Sequence, residues 1–151
     1  MSAEYPPEIR SQLYHRLNEM GKVYGVYFNR SDGYLANSRR ALILSEYAKK
    51  AGVFDTLHLQ IFKAHFEEGR DIGDSEVLIE LAESSGLSRE EVEQAWQDAS
   101  LKQQLQEIAT AAHTEGATGG VPTFIINDRY KIVGAQPYSV FHETLQKIVA
   151  E

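Results

Sequence analysis

Two histidines and a run of acidic residues are the side chains whose types and spacing come nearest to a metal-binding pattern. His58 and His65 lie seven residues apart on one predicted helix, so they can share a face. The i, i+4 spacing and the glutamate of a His-Glu-x-x-His zinc site are both missing, and we interpret the pair as surface or satisfied histidines. A helix end and an N-cap explain the acidic run more simply than a cation site does. We therefore predict no metal site, and the run consists of Glu67, Glu68, Asp71 and Asp74.

Cysteine is absent from all 151 residues. Structural disulfides, thiolate metal sites and dithiol exchange all need this residue, so this chain carries none of them. Nucleophile elbows, P-loops and dinucleotide-binding fingerprints are also missing from the sequence. Gly116, Gly119 and Gly120 are better interpreted as a loop that leads to a proline. We predict no catalytic residue and no cofactor.

Residues 116–136 predict a loop, a strand, a tight turn and a second strand. The run Thr123–Ile126 is apolar, β-branched and aromatic, which is typical of a strand covered on both faces, so we expect the hairpin to lie deep. Residues 127–129 supply turn residues, and Tyr130–Val133 resumes a strand pattern. Pro122 stands at the strand start, where its missing N–H costs no central ladder bond. Local physics alone gives a cis Val121–Pro122 bond a frequency of about 5%.

The remaining sequence predicts helices. The first runs to about Met20, with Gly21 as its C-cap, and residues 22–29 are predicted to be extended. Its apolar stripe is Ile9, Leu13, Leu17 and Met20. A final helix begins at Pro137.

Capping signals divide the middle of the chain. Asp74 is a predicted N-cap, and Ser88 with Glu91 forms a predicted capping box. Asn37-Ser38 offers an N-cap for a helix that carries Ala41, Leu42, Leu44, Ser45 and Ala48 and ends at Gly52. The predicted buried side of the next helix consists of Phe54, Leu57, Ile61 and Phe62.

Composition and charge limit the class of protein. A chain of 151 residues with 42% hydrophobic content can form one domain with a sizeable core. We predict a single α/β, mostly helical domain over residues 1–151, with about six helices in 8–116 and a proline loop, β-hairpin and terminal helix in 117–151. The net charge of −7 argues against binding to nucleic acid or acidic membranes. No apolar run approaches a membrane span and no signal segment is present, so we expect a soluble cytoplasmic protein.

Three stretches resemble one known family. They are Gly-Val-Pro-Thr-Phe at 120–124 with Gly-Ala-Gln-Pro at 134–137, Phe-Glu-Glu-Gly-Arg-Asp-Ile-Gly-Asp at 66–74 followed by Val77-Leu78, and Asn37-Ser38 with Ala41. Together they are similar to DsbA-like, thioredoxin-fold oxidoreductases of the FrnE type. Many members carry histidine where this chain has Leu42.

The resemblance implies a truncated thioredoxin-like fold and two binding regions. In the family the proline is cis, and its loop offers backbone groups to a bound peptide or thiol. The resemblance carries this role to Thr118, Gly120, Val121, Pro122 and Thr123. It also implies that Asn37 and Ser38 lie near the groove of the family's active site.

Family members begin with a strand, a Cys-x-x-Cys helix start and a second strand, to which nothing in this chain corresponds. Dithiol exchange needs a reactive thiolate and a resolving sulfur. We therefore expect a family protein that is redox-inactive by itself. Two alternatives stay open: a non-catalytic peptide-binding or dimerisation module, and a relative of glutathione-dependent 2-hydroxychromene-2-carboxylate isomerases or kappa-class transferases. The activating serine of the latter also lies in the missing part, and Ser38 is not a credible substitute.

An isolated two-stranded hairpin is marginally stable, so its free edge should seek a partner. We favour a homodimer in which two chains pair their hairpin edges, because twofold closure is the commonest oligomer symmetry. Alternatively, residues 23–28 supply a third strand within the same chain, or the sequence is a fragment of a longer protein.

Overall fold

The computed structural model describes residues 6–29, 36–117 and 120–150, and over these it contains seven helices and one hairpin. The mostly helical α/β fold is thus confirmed. The helices are α1 (Pro7–Lys22), α2 (Arg39–Ala51), α3 (Phe54–Phe66), α4 (Ser75–Ser84), α5 (Arg89–Gln97), α6 (Ala99–Thr114) and α7 (Tyr138–Ala150). The strands are β1 (Thr123–Ile126) and β2 (Tyr130–Val133).

The chain forms two compact units, residues 1–105 and residues 106–151. In the first unit, α2 packs on α3 and α5, while α4 packs on the same two helices. The fully buried side chains of this core include Leu44, Leu57, Leu78, Val92 and Leu101. Helix periodicity places these residues on inward faces, so burial of apolar area holds the unit together.

Local capping chemistry sets the helix boundaries as the sequence predicts. The Asp74 carboxylate accepts a hydrogen bond from the Glu76 N–H, and Ser88 and Glu91 form a reciprocal capping box. Gly52 ends α2 with a left-handed backbone, φ 76°, where an L side chain would be strained. These predictions are confirmed because each depends on residues within one turn of the helix end.

The capping box makes one contribution to stability depend on pH. Hydrogen bonds from the backbone N–H and hydroxyl of Ser88 hold the pKa of Glu91 below its ordinary value of 4.5. A lowered pKa in the folded state adds stability above the unfolded-state pKa, and this stability is lost as pH falls through the folded-state pKa. We expect the difference in unfolding free energy between the natural chain and Glu91→Gln to shrink between pH 7 and pH 3, as measured by urea unfolding. Glu93→Gln, exposed on the same helix, is the control, and an equal change for both variants would contradict the prediction.

The C-terminal end of helix α1 differs from the prediction. The helix continues through Gly21 to Lys22, so Gly21 is not its C-cap. The apolar stripe of α1 is 41–52% exposed, and its members are Ile9, Leu13, Leu17 and Met20. Gly21 is buried instead, because the returning chain passes directly over it.

The segment after α1 is also not the extended strand that we predicted. Residues 23–25 form a turn, and residues 26–29 have no regular secondary structure. The Phe28 N–H donates to the Asn18 side-chain oxygen at 2.7 Å, and the Phe28 carbonyl accepts from the Asn18 side-chain NH₂ at 2.9 Å. The Asn29 N–H donates to the Phe66 carbonyl at 2.6 Å. Phe28 and Asn29 are therefore tied to α1 and α3, and the alternative in which residues 23–28 add a strand to the hairpin is wrong.

The second unit contains the antiparallel hairpin. Thr123 pairs with Val133 and Ile126 with Tyr130. Asn127 and Asp128 both have positive φ, 52° and 54°, which matches the tight turn predicted for residues 127–129.

The expected deep burial of the hairpin does not occur within this chain. Phe124 and Ile125 are 40% and 37% exposed, and only Ile132 of the hairpin is buried. Phe124 packs edge-on against Phe141 of α7, with 4.9 Å between ring centroids, yet no described side chain of α7 is buried. The second unit therefore leaves apolar surface uncovered because its elements are few and small.

Candidate functional site: the Pro122 loop, the β1 edge and the groove beside α3

The Pro122 loop, residues 118–123, connects α6 to β1. Thr118 lies outside the described residues. Gly120 has φ 149°, and the Val121–Pro122 peptide bond is cis. The Thr123 hydroxyl donates to the Gly120 carbonyl at 2.6 Å and closes the loop on itself. Val121 is 90% exposed, so the loop presents this residue to solvent.

The hydrogen-bond pattern of the hairpin decides which backbone groups are available. The Gly134 N–H donates to the Pro122 carbonyl at 2.7 Å, so the Pro122 carbonyl points toward β2. Backbone groups alternate between the two sides of a strand, so those of Thr123 and Ile125 point away from β2. Within the part of the chain that the structure describes, the Val121 backbone has no hydrogen-bond partner. We call the outward-facing backbone groups of Thr123 and Ile125, together with the backbone of Val121, the β1 edge.

Asn37 and Ser38 lie in the helical unit, at the start of α2. The Asn37 side-chain oxygen accepts from the Arg39 N–H at 3.1 Å and so caps the helix, whereas Ser38 makes no side-chain cap. Ser38 lines an open groove of about 320 Å³, and Asn37 does not. The groove is bounded by α2, α3 and the segment after α3, and its lining residues are Ala36, Ser38, Ala41, Leu42, Ser45, His58, Ile61, Phe62, His65, Phe66 and Ile72.

One wall of the groove is an aromatic row on α3, consisting of Phe54, His58, Phe62 and Phe66. Successive ring centroids lie 4.7, 4.6 and 5.5 Å apart, within the range of favourable aromatic pairs. His65 meets the Phe66 ring edge-on at 4.7 Å. The i, i+4 spacing of a helix aligns these rings.

Sequence reasoning missed most of this wall. Phe62 was predicted to be buried, but it is 50% exposed at the groove, where Leu42 is 46% exposed. His58 and His65 were interpreted only as surface or satisfied residues, and the structure adds that both line the groove. The signal was present in the sequence, since aromatic residues recur every fourth position from 54 to 66.

Two negative findings apply to the described ranges alone. Residues 6–29, 36–117 and 120–150 contain no group of three or more histidine, aspartate or glutamate residues placed to hold a metal ion. Among the helices of these ranges, none combines the length and apolar character that crossing a membrane requires.

Comparison with known proteins gives relatives that are longer than this chain. The chain is 30% identical over 99 residues to the uncharacterized protein YwbO of Bacillus subtilis, which covers 66% of this chain and 49% of YwbO. It therefore spans about half the length of that relative.

Solved structures share the fold. A probable DsbA oxidoreductase of Streptomyces coelicolor superposes with a TM-score of 0.82 at 27% identity, covering 97% of this chain and 63% of that protein. A putative protein disulfide isomerase of Nitrosomonas europaea superposes with a TM-score of 0.71 at 18% identity, covering 99% of this chain and 78% of that one, and this match shows the fold alone. The model of the DSBA-like thioredoxin domain matches residues 3–146, and the chain therefore belongs to the DSBA-like thioredoxin domain family.

Proposed function

We propose that this DsbA-like chain performs no thiol–disulfide exchange with its own side chains and instead binds extended peptides along the β1 edge. The first half rests on the sequence, because exchange needs a thiolate and the chain has no cysteine. The observation that carries the second half is the backbone of Val121, which has no hydrogen-bond partner among the described residues and lies just before the outward-facing groups of Thr123 and Ile125.

An extended peptide would add a strand to this edge. Main-chain hydrogen bonds give such complexes their affinity, while the side chains of alternate residues select the partner. A two-stranded hairpin also gains stability from a third strand, so a bound peptide would stabilise the folded hairpin. Family membership supports a peptide or thiol ligand, since the Streptomyces coelicolor relative is described as a probable DsbA oxidoreductase. The FrnE-type subgroup, the role of Asn37 and a cytoplasmic location stay predictions.

The Val121 N–H is the group to remove in a test of peptide binding. S-methylglutathione is a suitable probe, because it is a peptide with a blocked sulfur and cannot exchange. We expect Val121→Pro, which deletes the N–H, to bind about tenfold more weakly, since one hydrogen bond is lost at an open edge. Chemical-shift titration of labelled protein measures both the affinity and the location of the probe.

Val121→Ala is the matched control, because it keeps the backbone donor and acceptor. It should bind the probe within about twofold of the natural chain. Equal affinity of Val121→Pro and Val121→Ala would show that the Val121 N–H does not take part, and shifts confined to residues 6–105 would contradict binding at the β1 edge.

A second candidate occupant of the β1 edge is a second copy of the chain. The exposed Phe124 and Ile125 favour it, because pairing two β1 strands about a twofold axis would cover apolar side chains as well as backbone groups. In this arrangement the chain is a dimerisation module and the peptide competes with the partner strand.

The mass in solution distinguishes the two occupants of the edge. If the chain is a dimer, light scattering should give twice the chain mass of 17.0 kDa. The Ile125→Pro variant should then give the mass of a single chain. Proline deletes an N–H that points outward and is tolerated on an edge strand. Ile125→Val keeps the N–H and should remain dimeric. A single chain mass at every concentration would contradict the dimer and leave the edge open to peptide.

A further inference from the structure

The apolar stripe of α1 has the spacing of a helix-packing face. Its members Leu13, Leu17 and Met20 are separated by four and three residues, and Tyr24 follows four residues later. This spacing is that of a coiled-coil seam, which packs on a second helix. Among the described elements, however, α1 makes no extensive contact with another helix. The described part of the chain thus leaves this face open.

The turn after α1 extends the same face. Gly25 has a left-handed φ of 70°, and its N–H donates to the Lys22 carbonyl at 3.3 Å. The Val26 N–H donates to the Gly21 carbonyl at 3.0 Å. These two bonds form a Schellman motif, in which the residue before the left-handed glycine still follows the path of the helix. Tyr24 is therefore held in line with the stripe.

The exposed area of this face is enough for a small specific interface. The four side chains of the stripe are 41–52% exposed, and Val23, Tyr24 and Tyr27 beside them are 82%, 83% and 62% exposed. With about 100 Å² for a fully exposed aliphatic side chain and about 200 Å² for a tyrosine, these side chains leave roughly 550 Å² uncovered. Two copies would together bury about 1,100 Å², which clears the roughly 1,000 Å² expected of a biological interface.

Charges beside the stripe fit a second copy of α1 in the antiparallel orientation. Arg16 and Glu19 are exposed, lie three residues apart on one flank of the stripe, and have no ion pair within the described residues. When Leu17 lies opposite Met20 of the second copy, Arg16 of each chain comes within one helical turn of Glu19 of the other. Antiparallel helix dipoles also attract each other. A second copy therefore offers both the apolar surface and the opposite charge that this face lacks.

We propose that α1 pairs with α1 of a second copy, antiparallel about a twofold axis near residue 18. Leu17 packs on Met20 of the second copy, and Leu13 packs on its Tyr24. The contact goes beyond the proposed peptide site and uses none of the residues of the β1 edge, so each proposal can fail without the other.

The mass in solution tests whether α1 carries the association. We expect light scattering over a concentration series to rise toward twice the chain mass of 17.0 kDa. Leu17→Ser with Tyr24→Ser should lower the association constant by more than about tenfold, whereas Leu59→Ser, at a residue 70% exposed on α3, should leave it unchanged. Ile125→Pro should keep the mass of the natural chain. A single chain mass at every concentration would overturn the proposal, and so would loss of the dimer in Ile125→Pro, which would assign the contact to the β1 edge.

Exchanging the two charges separates a lost contact from a damaged helix. Arg16→Glu should weaken association about fivefold, because each of the two symmetric ion pairs is replaced by a pair of like charges. Arg16→Glu with Glu19→Arg exchanges the charges and should restore association, which a damaged α1 would not do. A double variant that associates no better than Arg16→Glu would contradict the pairing of these two residues across the interface.

The absence of cysteine makes the orientation of the two helices testable, because an introduced cysteine is the only thiol in its chain. In the antiparallel pair Leu13 lies about 16 Å along the axis from Leu13 of the second copy, too far for a disulfide. Leu13→Cys alone should therefore not form linked dimers on air oxidation, whereas mixed Leu13→Cys and Tyr24→Cys chains should link to each other. Efficient linking of Leu13→Cys to itself would indicate a parallel pair and overturn the proposal.

Discussion

Replacing Leu57 with alanine is expected to lower the unfolding free energy of the helical unit by about 3 kcal/mol. Leu57 has no exposed surface, and it lies in the core that joins α2, α3 and α4. Truncating it removes buried apolar area and leaves a cavity that helices held by several neighbours cannot close. Urea unfolding monitored by helical circular dichroism measures the loss.

Leu59 is the matched control for this change. It lies two residues further along α3 and is 70% exposed, so Leu59→Ala should change stability by no more than about 0.5 kcal/mol. A similar loss for both leucines would show that the packing side of α3 has been assigned wrongly. The same result would remove the basis for placing the aromatic row at an open groove.

Replacing Gly21 with alanine is expected to release the chain that returns over α1, at a cost of about 2 kcal/mol. A methyl group at this position would lie 2.4 Å from the Val26 carbonyl oxygen and 3.2 Å from its carbon, so the backbone must move. The Phe28 N–H, now 2.7 Å from the Asn18 side-chain oxygen, should then exchange with solvent more than about tenfold faster. Hydrogen exchange followed by NMR measures this rate.

Met20→Ala is the control for Gly21→Ala, because Met20 is the preceding residue and is 52% exposed. It should leave exchange at Phe28 almost unchanged. Unchanged exchange in Gly21→Ala itself would contradict the close contact between α1 and the returning chain, and with it the position of Phe28 beside Phe66.

Features that depend on neighbouring residues could be predicted from the sequence. The cap at Asp74, the capping box at Ser88 and the turn at Asn127 and Asp128 each depend on side chains within a few residues. The mostly helical fold followed from the same signals together with apolar periodicity. The proposed binding role of the Pro122 loop comes from resemblance to the family, because proline and glycine alone do not predict a binding loop.

Burial was harder to predict, for a physical reason. Periodicity identifies the apolar face of an element, but it does not say whether another element covers that face. Phe124 and Ile125 of β1 and Phe62 of α3 were predicted to be inside and are exposed, and the apolar stripe of α1 is exposed as well. The groove needed three-dimensional placement, since Ser38 and His65 are far apart in sequence and meet only when α2 and α3 pack together.

Turnover of a protein disulfide is the measurement that tests the proposed function most directly. Insulin reduction by glutathione is followed with and without the purified chain, and a dithiol oxidoreductase of the same family serves as positive control. We predict that the rate with this chain equals the rate of the blank, because neither an attacking thiolate nor a resolving sulfur exists in its 151 residues. A rate that rises above the blank in proportion to the concentration of the chain would contradict this account.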